Sequence, residues 1–478
     1  MTSLSDLDHK IRKVFPQESL FKTKENYSVF EGKNLPSFIK DWLIKKFSFD
    51  DETVDKEGLL NFIEKHLPQK GSEKKFKGSL MYDKRQVDIL SRVIIEPDIK
   101  RGIFRFSIPE LEISFSEGMV MEFILEKNPE LKGGEVWGIL TLRYAQDINH
   151  YENFILLEQY KPFKPYEIDL EYYKEGRKNF SIEEWIDLLI RSMEYNPDGF
   201  SSLEQKLLFV SRLLVFVEPR LNLIELAPKG TGKSYIFNNL TKYGWCVSGG
   251  KVTRAKMFYD MQKNSPGFIT RYDFIAFDEV QTIEFSNDEE MRAALKSYLE
   301  MGKFTIANYH GQSNAGFILL GNIRLDRDMT PIDKFYFSEL PNAFYESALF
   351  DRFHGFIEGW GLPRIREDLK IKGYALNVEY FTEILHSLRE SSEYAIVVDE
   401  LLEIPTRADT RDIHAIKKLT TAYLKLLFPH VKSLEDIDKL EFEIFCLNAA
   451  LKKRAVIRKQ LHLMDPEFRE DLPDVRIR

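Results

Sequence analysis

The stretch from Leu221 to Ser234, LNLIELAPKGTGKS, constrains this chain more than any other. Leu221 to Leu226 carries only Asn222 and Glu225 as polar breaks, so it reads as a buried parallel strand. It runs into Ala227, Pro228, Lys229, Gly230, Thr231, Gly232, Lys233 and Ser234, after which Tyr235 to Leu240 has helical spacing. Strand, glycine loop and helix in that order are the context a phosphate-binding loop requires.

Each residue type has a chemical reason. Gly230 and Gly232 let successive backbone N–H groups curl around a triphosphate, and the helix that follows turns its positive end to the same charge. Lys233 is placed to reach the β- and γ-phosphates of ATP. Ser234 offers a hydroxyl to Mg²⁺, which prefers hard oxygen donors. Ala227 stands where the usual pattern has its first glycine, a departure by one methyl group.

Hydrolysis needs acids at a second strand end. Phe274 to Phe277 is such a buried run, and it delivers Asp278 and Glu279 where ligands sit in parallel sheets. Asp278 is the metal-side acid and Glu279 the group that polarises the attacking water. A third run, Gly316 to Leu320, leads to Asn322, whose amide suits the nucleophilic water or the γ-phosphate. Arg352, in Ser347-Ala-Leu-Phe-Asp-Arg-Phe353, is a planar cation of the kind that stabilises charge on a transferring phosphate.

Strand and helix signals alternate after the loop: strand Gly244 to Val247, helix Thr253 to Gln262, strand Tyr272 to Phe277, helix Asp288 to Leu299, strand Gly316 to Leu320. That alternation predicts an α/β core with a parallel sheet flanked by helices. Beyond about 365 the signal is helical, with runs at Asn377 to Leu388, Asp409 to Leu427 and Ser433 to Leu463. Before the core, short helices (Leu4 to Val14, Pro36 to Phe47, Asp55 to Leu67) precede β-type runs between Val87 and Tyr144, including Met119 to Leu125, while Tyr160 to Tyr173 reads as a linker. Helices Ser181 to Met193 and Leu203 to Val217 lead into the loop. The expected domains are therefore 1–70 (helical), 71–175 (β-rich, with linker), 176–365 (α/β core) and 366–478 (helical lid and C-terminal helices).

Composition excludes several classes. Cys246 and Cys446 are the only cysteines, too few for a disulfide framework or a zinc site, and a reduced cytoplasmic setting fits. The start MTSLSDLDHKIRKVF lacks the apolar core of a signal peptide, and the most apolar stretch, Leu207 to Val217, is too short to span a bilayer, so no membrane partner is expected. A net charge of −8 does not favour nucleic acid, although local basic patches decide such binding.

Taken together, APKGTGKS, FIAFDE, LLGN and ALFDRF, followed by a helical lid, resemble the AAA+ ATPases of the Lon and minichromosome-maintenance type. More closely, GGKVTRAKMFYDM, YDFIAFDEVQTI, FDRFHGFIEGWGLPRI and TRDIHAIKKLTTAYLKLLFPH resemble BrxL, the Lon-like ATPase family of BREX phage-exclusion systems. LPSFIKDWLIKKF and GEVWGILTLRY extend the similarity toward the N-terminus. The resemblance implies an AAA+ P-loop core with a C-terminal helical lid and an N-terminal α+β domain, using ATP and Mg²⁺. It implies that Lys233 and Ser234 are phosphate-loop residues, Asp278 and Glu279 the second acidic motif, Asn322 the first sensor, Arg352 the arginine finger and Arg411 a second sensor. A finger that reaches a neighbouring subunit implies a hexamer, in paired rings as that family can form. Longer relatives carry a serine–lysine peptidase domain. The chain stops soon after the helix bearing Lys452 and Lys453, so no peptidase activity is expected of it.

Two activities compete. The first is a ring that closes on duplex DNA in anti-phage defence, alone or with other BREX proteins. Its candidate DNA contacts are Lys74, Lys75 and Lys77 in the basic run 70–86, Lys251 and Arg254 beside the Gly249-Gly250 turn, and Tyr309 and His310 at a hairpin tip. The second is a protein-remodelling or scaffold ATPase that touches DNA only indirectly. A steep salt dependence of DNA affinity separates the two.

Overall fold

The computed structural model describes residues 4–33, 35–49, 53–68, 71–129, 131, 135–147, 152–162, 168–262 and 265–478. The chain divides into two compact units, Trp42–Tyr166 and a larger one made of Met1–Asp41 with Glu167–Arg478. This division differs from the expected boundaries, because the N-terminal forty residues join the lid end of the chain. Strand β1 (Ser19–Lys22) is fully buried and pairs with Gly373–Leu376, far along the sequence.

In the smaller unit, β2 (Val87–Asp98), β3 (Ile103–Ile108), β4 (Ile113–Val120), β5 (Glu135–Asp147) and β6 (Glu152–Pro162) close into a barrel in the order β2-β3-β4-β6-β5. Closure leaves no open sheet edge. Ile89, Val93, Phe106, Leu140, Leu142 and Leu157 fill the interior. Two expectations are corrected here, and a third segment gains its structure. The run Met119 to Leu125 is not one strand, since β4 ends at Val120 and Glu122–Lys127 is helical. The expected linker contains the end of β6 and the helix Leu170–Arg177, which Asp169 caps. Most of the basic run 70–86 is a helix, Glu73–Asp83, stopped by Lys84 in the left-handed conformation at φ 50°.

The larger unit is built on a five-stranded parallel sheet. Its strands are β7 (Asn222–Ala227), β8 (Gly244–Val252), β11 (Phe274–Phe285), β14 (Gly316–Asn322) and β15 (Gly355–Glu358), ordered β15-β7-β14-β11-β8. Between them lie the two-residue pair β9 (Tyr259–Asp260) and β10 (Ser265–Pro266) and the hairpin β12 (Lys303–Ile306) and β13 (Tyr309–Gln312). All six residues of β7 are buried, as is expected of a central parallel strand covered on both faces. The order puts β14 between the glycine-loop strand and the acidic strand, so three strand ends meet along one edge.

The helix Asp288–Met301 is capped by Asn287, carries three acids in its first turn, and ends at Gly302 in the left-handed region. The expected helix Thr253 to Gln262 shrinks to Arg254–Met257, because the chain then enters β9. Leu203 to Val217 breaks into two helices around a 3-10 turn, Ser211–Leu213, where Arg212 turns inward. Ser433 to Leu463 is likewise interrupted, by a π-turn at Glu443–Leu447 before the helix Asn448–Met464. The helices Val378–Glu390 and Thr410–Leu427 are fixed to the base of the sheet by buried charge: Arg389 donates to the carbonyls of Val215 and Glu218, and Lys425 pairs with Glu218 at 3.0 Å.

Candidate active site

The glycine loop leaves β7 at Ala227 and re-enters helix at Lys233. Gly232 has φ +78°, and a Cβ there would lie 2.3 Å from the Tyr195 hydroxyl, so both the turn and the packing require glycine. The alanine at 227 has its own counterpart: a Cβ on Gly359 would come within 2.5 Å of the Ala227 methyl, and only glycine at 359 leaves room for it. The loop is braced from beneath by an ion pair with both side chains fully buried. Arg212 donates to Glu225 at 2.5 and 3.0 Å and to the Thr231 carbonyl at 2.9 Å.

Lys233 is 7% exposed and donates to Asn322 Oδ1 at 3.0 Å. Burial draws its pKa down, against the pull of Glu225, Asp278 and Glu279. Asn322 is held in turn by Gln281, whose side chain donates to the Asn322 carbonyl at 2.7 Å and accepts its N–H at 3.3 Å. Asp278 is buried at the end of the regular part of β11. The pairing with β8 then slips between Asp278 and Ile283, and Glu279 takes φ 48° and is exposed. Such a bulge re-aims a side chain beside a site. The structure thus gathers Lys233, Asn322, Asp278 and Glu279 at one sheet edge.

Tyr235, just past Ser234, is anchored in a buried polar cluster. Its hydroxyl donates to Glu194 Oε2 at 2.5 Å, and Glu194 also accepts from Ser37 and pairs with Lys22 at 3.2 Å. Lys22 pairs with Asp41 at 2.8 Å. Beside this cluster a cleft of about 440 Å³ is lined by Tyr27, Phe30, Tyr195, Tyr235, Ile365 and Leu369. Arg212, Glu225, Gln281 and the Glu194 cluster were missed in the sequence, where only the polar interruptions of apolar runs at 212 and 225 hinted at them.

Arg352 lies elsewhere. Its carbonyl accepts from the Asn222 side chain at 3.4 Å, which places it by the first residue of β7, while the loop follows the last. Five residues of strand separate those ends by about 17 Å. Arg352 Nε is 2.8 Å from Glu300, and Arg411 reaches the same carboxylate at 3.3 Å and Asp351 at 2.9 Å. Arg411 therefore stands with Arg352 and not with Lys233.

The basic candidates are scattered. Lys74 and Lys75 are exposed on their helix, whereas Lys77 is engaged by Glu117 at 2.8 Å. Lys251 is exposed on β8, and Arg254 faces Glu290 at 3.4 Å. On the hairpin, His310 is exposed while Tyr309 stacks on Tyr259 with centroids 3.7 Å apart. Among the described residues no cluster of three or more His, Cys, Asp or Glu could hold a metal on its own, and no helix is long and apolar enough to cross a membrane.

Residues 155–474 match the family described as Lon-like protease BrxL-like, ATPase domain, and residues 13–144 match the BREX system Lon protease-like protein BrxL N-terminal family. A Lon-like protease BrxL of Escherichia coli O9:H4 (strain HS) is 27% identical over 438 residues, covering 90% of this chain and 61% of the relative. Another, of Bacillus cereus (strain H3081.97), is 28% identical over 469 residues, covering 96% of this chain and 67% of the relative. The chain thus spans about two thirds of the length of these relatives.

Proposed function

Because the chain belongs to the BrxL family of Lon-like proteins of BREX systems, we propose that it is an AAA+ ATPase that assembles into a ring and acts on duplex DNA. The observation that carries the nucleotide reading is the 3.0 Å contact of Lys233 with Asn322 at the mouth of a glycine loop. That contact brings the buried ammonium and the strand-end amide together beside the loop. In the proposed complex the loop N–H groups and Lys233 cradle the phosphates, and the nucleobase takes the cleft beside Tyr195 and Tyr235. Ser234 and Asp278 present a hydroxyl and a carboxylate, the hard oxygen donors that Mg²⁺ takes. When bound, that ion neutralises charge on the phosphate oxygens. Glu279 orients the attacking water, and Asn322 passes from Lys233 to the γ-phosphate side.

The position of Arg352 supports assembly. Roughly 17 Å from its own loop by strand length, it serves a neighbour's nucleotide if it serves any. Lys74, Lys75, Lys251 and His310 are exposed and offer the proposed DNA contacts, whereas Lys77 and Arg254 have acidic partners.

Fluorescent ATP binding by Lys233→Ala tests the nucleotide site: the variant should lose binding, and retained tight binding would sink the assignment. Duplex DNA anisotropy with Glu279→Gln, with and without ATP across a salt series, tests the motor. Tight, ATP-dependent, salt-sensitive binding supports it. No binding at low salt by an ATP-loaded oligomer overturns it in favour of protein remodelling.

A further inference from the structure

A second cavity, of about 660 Å³, lined by no residue of the glycine loop, lies between the helix Leu203–Val210, the strip Phe356 to Gly361 and the helix Asn448–Met464. Leu207, Leu208, Phe356, Trp360 and Tyr423 give it apolar and aromatic walls. Lys453 also lines it, and this lysine is only 6% exposed. Its ammonium has no hydrogen-bond or ion-pair partner among the described residues. The countercharges it feels are Glu358, on the same wall of the cavity, and Glu225, which is already taken by Arg212. A cation in so enclosed a place keeps little of its hydration, and an anion placed against it offsets that loss. The helix that carries Lys453 lies close on its strand, since a Cβ on Gly355 would approach the Lys453 Cβ to 3.0 Å.

We propose that this cavity is a second ligand site, separate from the glycine loop, that binds a small organic anion with an aromatic or aliphatic body, its charge on Lys453 and its body against Trp360 and Phe356. The remaining groups are compatible with that ligand. Burial pushes Glu358, on the same wall, toward its neutral acid form. Lys452 and Glu204 pair at 2.7 Å at the rim with side chains 71% and 78% exposed, so they do not close the cavity. Burial brings Lys453 down to about 8, against the pull of Glu358 and Glu225 and with the help of Lys452, so it is still mainly charged at pH 7.

The test uses the full chain saturated with ADP and two fluorescent probes, 1-anilinonaphthalene-8-sulfonate and its uncharged relative N-phenyl-1-naphthylamine. The sulfonate should bind about tenfold more tightly than the amine. Lys453→Met, which keeps the stem and removes the charge, should abolish that preference without changing the amine's affinity. Equal sulfonate affinity in wild type and Lys453→Met overturns the site, as does sulfonate binding that is lost in the ADP-saturated chain and returns when ADP is removed. A pH series on the wild type gives a readout that needs no variant. Sulfonate affinity should fall between pH 7 and 9.5 as Lys453 loses its proton, with the amine unaffected; the same profile for both probes overturns the assignment.

Discussion

Arg352 and Arg411 converge on one carboxylate: Glu300 Oε2 lies 2.8 Å from Arg352 Nε and 3.3 Å from Arg411 Nη2. Arg411 continues to Asp351, and Asp351 to the fully buried Arg454 at 2.7 Å, which also holds Asp412 at 2.8 Å. The end of the segment bearing Arg352 is thereby tied to two C-terminal helices, Thr410–Leu427 and Asn448–Met464. The position of those helices and that of the arginine are joined through one chain of charges.

That chain makes the finger assignment testable. Arg352→Ala should leave ATP binding near normal and lower turnover by about 10²-fold or more, as losing a charge made useful only in the transition state does. Glu300→Gln removes the resting clip and should not lower turnover. Mixing Arg352→Ala with Glu279→Gln protein should restore some activity, because each ring would then contain interfaces with both residues intact. Phosphate release on mixing is the measurement, and strictly additive rates would exclude action in trans.

The Lys233–Asn322 contact makes a second prediction. Gln281 holds the Asn322 backbone through two hydrogen bonds, each contributing about 0.5–1.5 kcal/mol. Gln281→Ala should therefore cut turnover roughly tenfold at little cost in ATP affinity, because the amide facing Lys233 is no longer held in place. Steady-state hydrolysis set beside equilibrium ATP binding separates the two effects. A matching loss in both would mean that Gln281 supports the whole loop.

Much of this site could be read from local sequence, and the reason is physical. A glycine loop between a buried strand and a helix leaves its signature within fourteen consecutive residues, and Asp278 and Glu279 follow an apolar run directly. Parallel strands read as continuous apolar stretches, so β7, β11 and β14 were visible as well. What stayed hidden depends on distant partners. Arg212 and Glu225 look like flaws in apolar runs until the fold brings them together beneath Thr231. β6, ENFILLEQYKP, carries charges that hide its barrel face, and β1 is too short to recognise without Gly373–Leu376 beside it. The interruption at Glu443–Leu447 has helical composition throughout, so only the packed structure reveals it.

The Arg212–Glu225 pair is expected to dominate loop stability. Arg212→Met strands a fully buried carboxylate and should cost about 3–5 kcal/mol, whereas Arg212→Met with Glu225→Leu should recover most of it. Urea midpoints of the two variants decide this. ATP binding should remain impaired even in the double variant, since the brace on the Thr231 carbonyl is gone.

A last prediction concerns pH. His386, on the first lid helix, is stacked on Tyr243 with centroids 3.9 Å apart and lies 2.6 Å from Asp273 Oδ2. Burial alone would lower its pKa, but the Asp273 carboxylate outweighs it, with Glu383 and Glu390 adding to the pull, and the pKa is raised. A folded-state pKa above the unfolded value stabilises the protein fully below that unfolded value, near 6.5, and the contribution is lost as pH rises through the folded pKa. The thermal midpoint should therefore decline on passing from pH 6 to pH 8, and His386→Gln should flatten the decline. Glu379, on the same helix and pushed up to about 7 by burial, also titrates in this window and adds to the decline, so the His386 share is the difference between wild type and His386→Gln. Burial and nearby cations lower the pKa values of His354 and His414, and burial brings Lys453 down to about 8, so these groups work against the decline and do not produce it. An unchanged slope in His386→Gln would show that the lid contact to Asp273 does not depend on the imidazolium.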